Sequence, residues 1–214
     1  MDYNSIFYGN PNIDQLNFIN QKGLVDGLFE TLKTETMPKN DSELTREELN
    51  EIADYLNVIS EEENKEFLNR YKAYDKNLIH VIVTIFKEKN IDVEGLCLDI
   101  AKDINPLISK LKYNFQRPRP YQLAYSYKLK LFPYKSDSSL SPSYPSGHTA
   151  QAYVMCNVIG NKYPEFYNYC KDIIDDVALS RIYLGLHYQS DNDFAKFVGK
   201  HILKNKDFSK KYGI

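Results

Sequence analysis

The 214-residue chain contains no tryptophan, only nine glycines and nine prolines, and three cysteines. Cys97, Cys156 and Cys170 lie far apart and form no C-x-x-C pair. A paired-thiolate metal or redox motif is therefore missing. The odd count and apolar helical surroundings read as buried free thiols in a reducing compartment, with a disulfide between two of them left open. Net charge is also scarce: 27 Lys and Arg against 29 Asp and Glu leave -2, with a pI near 6.1. Such a chain lacks the global basic field that binding to a nucleic-acid duplex needs. Long apolar runs are missing as well. The longest, residues 78–86, is interrupted by His80 and Thr84 and falls far short of the roughly 20 residues of a membrane-spanning helix. Met1 to Ser5 show neither the basic nor the apolar region of a secretory signal. These features predict a soluble, cytoplasmic protein without a transmembrane segment, periplasmic only if a leader has been removed.

What is present points to helices. Apolar residues make up 43% of the chain, enough for one core and one domain. Helical spacing is predicted over 13–32, with Gly23 and Gly27 weakening it, followed by a linker over 34–42. Thr45 to Glu48 reads as a capping box before Leu49, Ile52, Ala53 and Leu56, and Ser60 to Glu63 repeats the device before Phe67, Tyr71 and residues 78–86. Asp92 opens a helix over 93–115 with Leu96, Ile100, Ile104, Leu107 and Leu111 in register. Further helices are predicted over 150–163, 164–184 and 190–203. No stretch alternates with period two, so the fold class is all-α. Residues 1–44 are expected to form an N-terminal arm and first helix packed on the core, and 45–214 the main domain. The eighteen tyrosines read as amphipathic residues at the core edge.

Three stretches carry chemistry. Tyr144-Pro145-Ser146-Gly147-His148-Thr149 opens a helix, and the free N–H groups of a first turn form an anion cradle. Lys112 precedes Arg119 by seven residues, about two turns, so both can emerge on one side of a helix end stopped by Pro118 and Pro120. His187 and Asp191 are four apart and can meet, the carboxylate fixing one imidazole nitrogen and freeing the other. Arg181 does not share their helix face, and Gly185 is expected to end the helix between them. Singly, each stretch has a plain structural explanation: a helix cap, cations at a helix C-terminus, a surface ion pair. The segment from Pro118 to Tyr144 is too long for a simple connection and reads as a functional loop.

Together the stretches resemble the type 2 phosphatidic acid phosphatase (PAP2) superfamily, which includes soluble class A bacterial acid phosphatases, membrane lipid phosphatases and vanadium haloperoxidases. Its pattern is K-x6-R-P, P-S-G-H and S-R-x5-H-x3-D. Here it reads Lys112 with Arg119-Pro120, then Pro145 to His148, then Ser180-Arg181 with His187 and Asp191. The flanks are most similar to the class A acid phosphatases, and the resemblance covers about residues 90–203. It implies a single-domain helical bundle of the PAP2, class A acid phosphatase and haloperoxidase type. It also implies roles: His187 as nucleophile, His148 as general acid and base, Asp191 orienting His187. Lys112, Arg119, Ser146, Gly147 and Arg181 would bind phosphate, with Arg117 and Tyr144 as rim residues. Arg117 fits a surface ion pair equally well.

The implied activity is hydrolysis of small phosphomonoesters through a phosphohistidine, broad in specificity and with an acidic optimum. The alternatives are a phosphatase of lipid or polyprenyl (pyro)phosphates at a membrane surface, a vanadium-dependent haloperoxidase, and an inactive phosphate-binding protein. No metal and no cofactor are implied, with vanadate expected only as inhibitor or transition-state mimic. The expected partner is a small phosphorylated substrate, and a homodimer is left open. His80 reads as a core residue, His201 as a cation complementing a helix C-terminus, and Asp193 as support for a helix start.

Overall fold

The computed structural model describes residues 2–214, and among them every regular element is helical. Ten α-helices follow in order: α1 (Ile13–Ile19), α2 (Phe29–Leu32), α3 (Glu43–Ile59), α4 (Lys65–Lys87), α5 (Glu94–Phe115), α6 (Pro120–Ala124), α7 (Gly147–Lys162), α8 (Tyr167–Tyr183), α9 (Gln189–Lys204) and α10 (Lys206–Tyr212). The central one is α7, packed against α8, α9 and α5. Its buried residues, Ala150, Ala152, Val154, Met155, Cys156, Val158, Ile159 and Gly160, lie on more than one side, as in a helix surrounded by protein. Small residues let its neighbours close in. A side chain at Gly199 of α9 would start 2.4 Å from the Tyr153 ring of α7.

The main core joins α4, α5, α7, α8 and α9, and a smaller cluster of Leu49, Ile52, Leu123, Ala124, Ile182 and Tyr188 fixes α3 beneath α6 and the end of α8. All three cysteines are buried and unbridged. The N-terminal residues are anchored along α5, with Val25 and Leu32 fully buried and Lys110 bonded to Asp26 at 2.6 Å. Among the described residues, no helix is long and apolar enough to cross a membrane.

Several local expectations are corrected. The helix expected over 13–32 is broken after Ile19, and α2 resumes only at Phe29. Here the chain presses on α5: a Cβ at Gly23 would lie 2.5 Å from the Asp103 carbonyl oxygen, so only glycine fits. The cap of α3 is Ser42, whose hydroxyl accepts from Thr45 N–H, and Thr45 and Glu48 turn inward instead of forming a box. Ser60 closes α3 by donating to the Asn57 carbonyl, and α4 starts at Lys65 without a side-chain cap. His80 is exposed, not in the core. Helices α6 and α10 were not expected; both are short, and α6 lies inside the proline-rich segment.

Two irregularities place site residues. Helix α4 leaves helical geometry at Asn77 (φ -161°, ψ 86°), whose side chain restarts it by accepting from His80 N–H at 3.0 Å. Asp75 sits two residues before that break. After α8, Gly185 takes the left-handed conformation (φ 69°), and the chain folds back so that Leu186 and His187 donate to the Arg181 carbonyl. Arg181 and His187, on incompatible helix faces in sequence, are thereby brought to one place.

Candidate active site

Asp191 lies in the first turn of α9, where its carboxylate accepts from the Tyr188 N–H at 3.0 Å. The same carboxylate accepts from His187 Nδ1 at 3.0 Å, from Arg117 Nη1 at 2.7 Å and from the Ser143 hydroxyl. Oδ2 takes three of these bonds and Oδ1 the one from Arg117, and the carboxylate is wholly buried. Burial by itself would raise the Asp191 carboxyl; Arg117, His187 and Ser143 outweigh it and hold the group well below the usual carboxylate range. An ionised Asp191 requires a proton on His187 Nδ1, which leaves Nε2 unprotonated. That nitrogen faces Arg119 Nη1 at 3.1 Å.

Arg117 is neither a rim residue nor part of a surface pair. It is fully buried beneath the site, spanning Asp191 and Glu48 (Nη2 to Oε2, 3.2 Å), with its guanidinium 3.9 Å from the Tyr188 ring centroid. Glu48 in turn accepts from the Ser190 N–H and hydroxyl, and Thr45 lies 3.4 Å from Arg117 Nη2. Tyr144 is likewise no rim residue. It is buried, stacked on Phe194 at 4.3 Å and edge-on to Phe115. Together these groups form a floor that carries the His187–Asp191 pair.

The cations lie above this floor. Lys112, in the last turn of α5, donates to the Pro142 carbonyl at 2.7 Å, and its Cε is 3.6 Å from where a side chain on Gly147 would begin. Arg119 donates to the carbonyls of Ser141 (2.9 Å) and Leu186 (2.8 Å). Arg181 Nη2 meets Asp75 at 2.7 Å, while its Nε and Nη1 are buried without an acceptor among the described residues. Asp75 also accepts from the Ser136 and Ser138 hydroxyls, so α4 and the long loop both close on Arg181. Burial lowers the pKa of all three cations: Arg119 falls to about 10 with Arg181 adding to the effect, Lys112 falls with Arg119 adding to it, and Arg181 is partly restored by Asp75.

Ser146 caps α7. Its hydroxyl donates to Thr149 Oγ1 at 2.9 Å and its N–H to the Asp191 carbonyl at 3.1 Å, which ties the starts of α7 and α9 together. Gly147 and His148 follow in the first turn, both half-buried. Burial lowers the His148 pKa well below 6.5, and Arg181 lowers it further. His187 is lowered in the same way, by burial and then by Arg119, with Asp191 opposing.

The structure thus brings Lys112, Arg119, Arg181, His148, His187 and Asp191 to one region where two helix starts meet. Sequence reasoning missed Glu48, Thr45, Asp75, Ser136, Ser138 and Ser143. Ser143, Ser136 and Ser138 lie in the segment from Pro118 to Tyr144 that reads as a functional loop, whereas nothing local marked Glu48 or Asp75 as buried. Among the described residues, no group of three or more His, Cys, Asp or Glu side chains is arranged to hold a metal ion. His201 lies in the last turn of α9, with Nδ1 3.0 Å from the Phe197 carbonyl, and Asp193 accepts from Gln189 at 2.8 Å near the start of that helix.

Residues 100–203 match the family model described as PAP2 superfamily. Among solved structures, the chain is similar to the first transmembrane PAP2-type phosphatidylglycerolphosphate phosphatase from Bacillus subtilis. The TM-score is 0.51 at 19% identity, over 86% of this chain and 90% of that one, a likeness of fold. Among curated proteins, no sequence matches this one.

Removing Arg117 would leave Glu48 and Asp191 as uncompensated carboxylates in the interior. Arg117→Met is therefore expected to destabilise the protein by about 3–5 kcal/mol. Urea unfolding followed by circular dichroism checks this, and a loss under about 1 kcal/mol would mean that the floor is not held by this ion network.

Proposed function

We propose, for a chain that belongs to the PAP2 superfamily through residues 100–203, that it is a phosphatase hydrolysing phosphomonoesters through a phosphohistidine on His187. The observation that supports this most is an unprotonated imidazole nitrogen set beside buried donors that lack acceptors among the described residues. His187 Nε2 faces Arg119, while Arg181 Nε and Nη1 are buried and unpartnered. A tetrahedral dianion supplies what those donors need, and arginine can grip two of its oxygens at once. The first-turn N–H groups of Gly147 and His148 add donors and the positive end of α7.

The reaction follows from this arrangement. His187 Nε2 attacks phosphorus while Asp191 stabilises the charge growing on the ring. The bond from phosphorus to the leaving oxygen breaks, and His148 gives that oxygen a proton. Lys112, Arg119 and Arg181 hold the three non-bridging oxygens as charge redistributes. Water then attacks phosphorus while His148 takes its proton, the phosphorus–nitrogen bond breaks, and inorganic phosphate leaves with His187 restored. No metal or organic cofactor enters this scheme, and vanadate would act as a mimic of the five-coordinate transition state. The family motifs' flanks favour a soluble enzyme of the acid phosphatase kind with broad leaving-group tolerance.

One observation favours a second reading, a lipid phosphate presented at a membrane surface. Ile13, Tyr125, Phe132 and Leu140 are 76%, 82%, 80% and 63% exposed, and Tyr3, Tyr125 and Leu129 line an apolar hollow with Lys128 and Lys130. Such a surface suits contact with lipid.

A hydrolysis panel of nucleotide, sugar, aryl and lipid phosphates separates the readings. Wild type should release phosphate, and His187→Ala should lose about a thousandfold or more in kcat. A variant that keeps wild-type rates would remove the phosphohistidine. The pH dependence has a definite sign. His187 must be unprotonated and His148 protonated, and both pKa values lie below 6.5 in the free protein. Activity measured as kcat/KM should therefore fall on the alkaline side below that value, with the kcat limb higher because bound dianion offsets the cations. A kcat/KM maximum above about pH 7.5 would contradict this assignment.

A further inference from the structure

Glu48 is carried by α3, outside residues 100–203, yet its carboxylate is buried beneath the nucleophile. Three donors hold it: the Ser190 N–H, the Ser190 hydroxyl at 2.9 Å and Arg117 Nη2 at 3.2 Å. From there a chain of contacts runs to the reacting atom. Arg117 Nη1 donates to Asp191 Oδ1 at 2.7 Å, and Asp191 Oδ2 accepts from His187 Nδ1 at 3.0 Å. Nε2 of the same ring is the attacking nitrogen. Arg117 Nη1 also reaches Ser190 Oγ at 2.7 Å, so both carboxylates are clamped to the first turn of α9. Glu48, Arg117, Asp191 and His187 are each at most 4% exposed. Water does not screen charges at that depth, so each is felt by the next.

The charges along this chain do not cancel. Two carboxylates face one guanidinium, which leaves one negative charge over while the imidazole is neutral. Attack removes the imbalance. The Nε2 lone pair becomes the phosphorus–nitrogen bond, and the ring, keeping its Nδ1 proton, takes a positive charge. The electron pair of the broken phosphorus–oxygen bond stays with the departing oxygen, which gains a proton from His148. The floor and ring together are then neutral. Without the charge of Glu48, Arg117 would belong to Asp191 alone, and floor and ring would become positive during attack. The cradle above them is already cationic, with Arg119 and Lys112 both opposing positive charge on His187. Resting on the phosphatase reading above, we infer that Glu48 is a positioning residue of the phosphoryl transfer. By sharing Arg117 it leaves the Asp191 carboxylate free to support the charge that forms on the His187 ring. The groups facing that ring are Arg119 and Lys112 on the cradle side and Asp191, backed by Arg117 and Glu48, on the floor side. Burial lifts the Glu48 carboxyl above its ordinary range, against Arg117 and the two Ser190 bonds, while Asp191 is held low. On acidification the floor therefore loses its extra charge at Glu48 first.

Glu48→Gln removes the charge and keeps the shape. With nitrophenyl phosphate as substrate, kcat should fall by about tenfold or more while KM stays within about twofold, because the cradle on the other side of the ring is untouched. The acid limb of kcat, where His187 takes up a proton, should move down by about one pH unit. Glu48→Asp keeps the charge, and its limb should stay within about 0.3 unit of wild type even where its shorter reach lowers kcat. A purely structural role would lower the rate in both variants without separating their limbs. A limb that stays put in Glu48→Gln, or that moves as far in Glu48→Asp, overturns the inference. Should Glu48→Gln unfold, NMR of wild type with isotope-labelled glutamate carboxyls decides. An ionised Glu48 at the pH of highest kcat supports the inference, and a protonated one overturns it. If wild type hydrolyses no phosphate ester, the phosphatase reading fails by itself. The His187 ring nitrogens, followed by NMR, then test the link between the two residues: a pKa lower in Glu48→Gln by about one unit supports it, and equal values overturn it.

Discussion

The structure depends on a surplus of buried positive charge. Lys112, Arg119 and Arg181 converge, and of the three only Arg181 is paired with a carboxylate, Asp75, among the described residues; the two positive charges left over match the two negative charges of a phosphate dianion. Keeping such charges from water is costly, and the lowered pKa values of Lys112 and Arg119 express that cost. Lys112 and Arg119 rest on the carbonyls of Ser141, Pro142 and Leu186 and on His187 Nε2. These are neutral acceptors, weaker than a charged one, and can be exchanged for phosphate oxygens. Among the described residues, Arg181 keeps two donors without an acceptor. A site built this way has a reason to bind a dianion before any reaction is considered.

The floor beneath that surplus is arranged with the opposite sign. Arg117 stands between Asp191 and Glu48, so one guanidinium serves two carboxylates, and Ser190 and Thr45 complete the set. This network does two things at once. It holds α3, the segment after α5, and the start of α9 together, and it fixes Asp191 so that His187 has only one available tautomer. Stability and chemistry thus share the same hydrogen bonds, and the cap of α9 is also the orienter of the nucleophile.

The site was legible in the sequence because its chemistry is written as short-range spacing. Lys112 and Arg119, Pro145 to His148, and His187 and Asp191 each lie within seven residues of chain, and the break at Gly185 was marked by glycine itself. The helices over 93–115, 164–184 and 190–203 were legible because apolar periodicity sets them. What escaped are partners far away in the chain. Arg117 meets Glu48 across 69 residues and Arg181 meets Asp75 across 106, and nothing near Glu48 or Asp75 announces a buried role. Arg117 was read as exposed because a cation next to two prolines has no local signal of depth. Tyr144 was placed at the rim for its position before the turn, yet its ring is claimed by Phe115 and Phe194. The helix expected over 13–32 failed for a related reason: contact with α5 at Gly23 decides that segment, not its own periodicity.

The most direct measurement is thermal unfolding of wild type and Arg181→Met across a titration of inorganic phosphate, followed by calorimetry. A cradle short of anionic charge predicts a rise in Tm that grows with the logarithm of phosphate concentration above Kd, worth about 2.7 kcal/mol at a hundred times Kd, and most of it should vanish with Arg181. A Tm that does not respond to phosphate, or that rises equally in both proteins, would contradict the claim that these cations were gathered to hold a phosphoryl group.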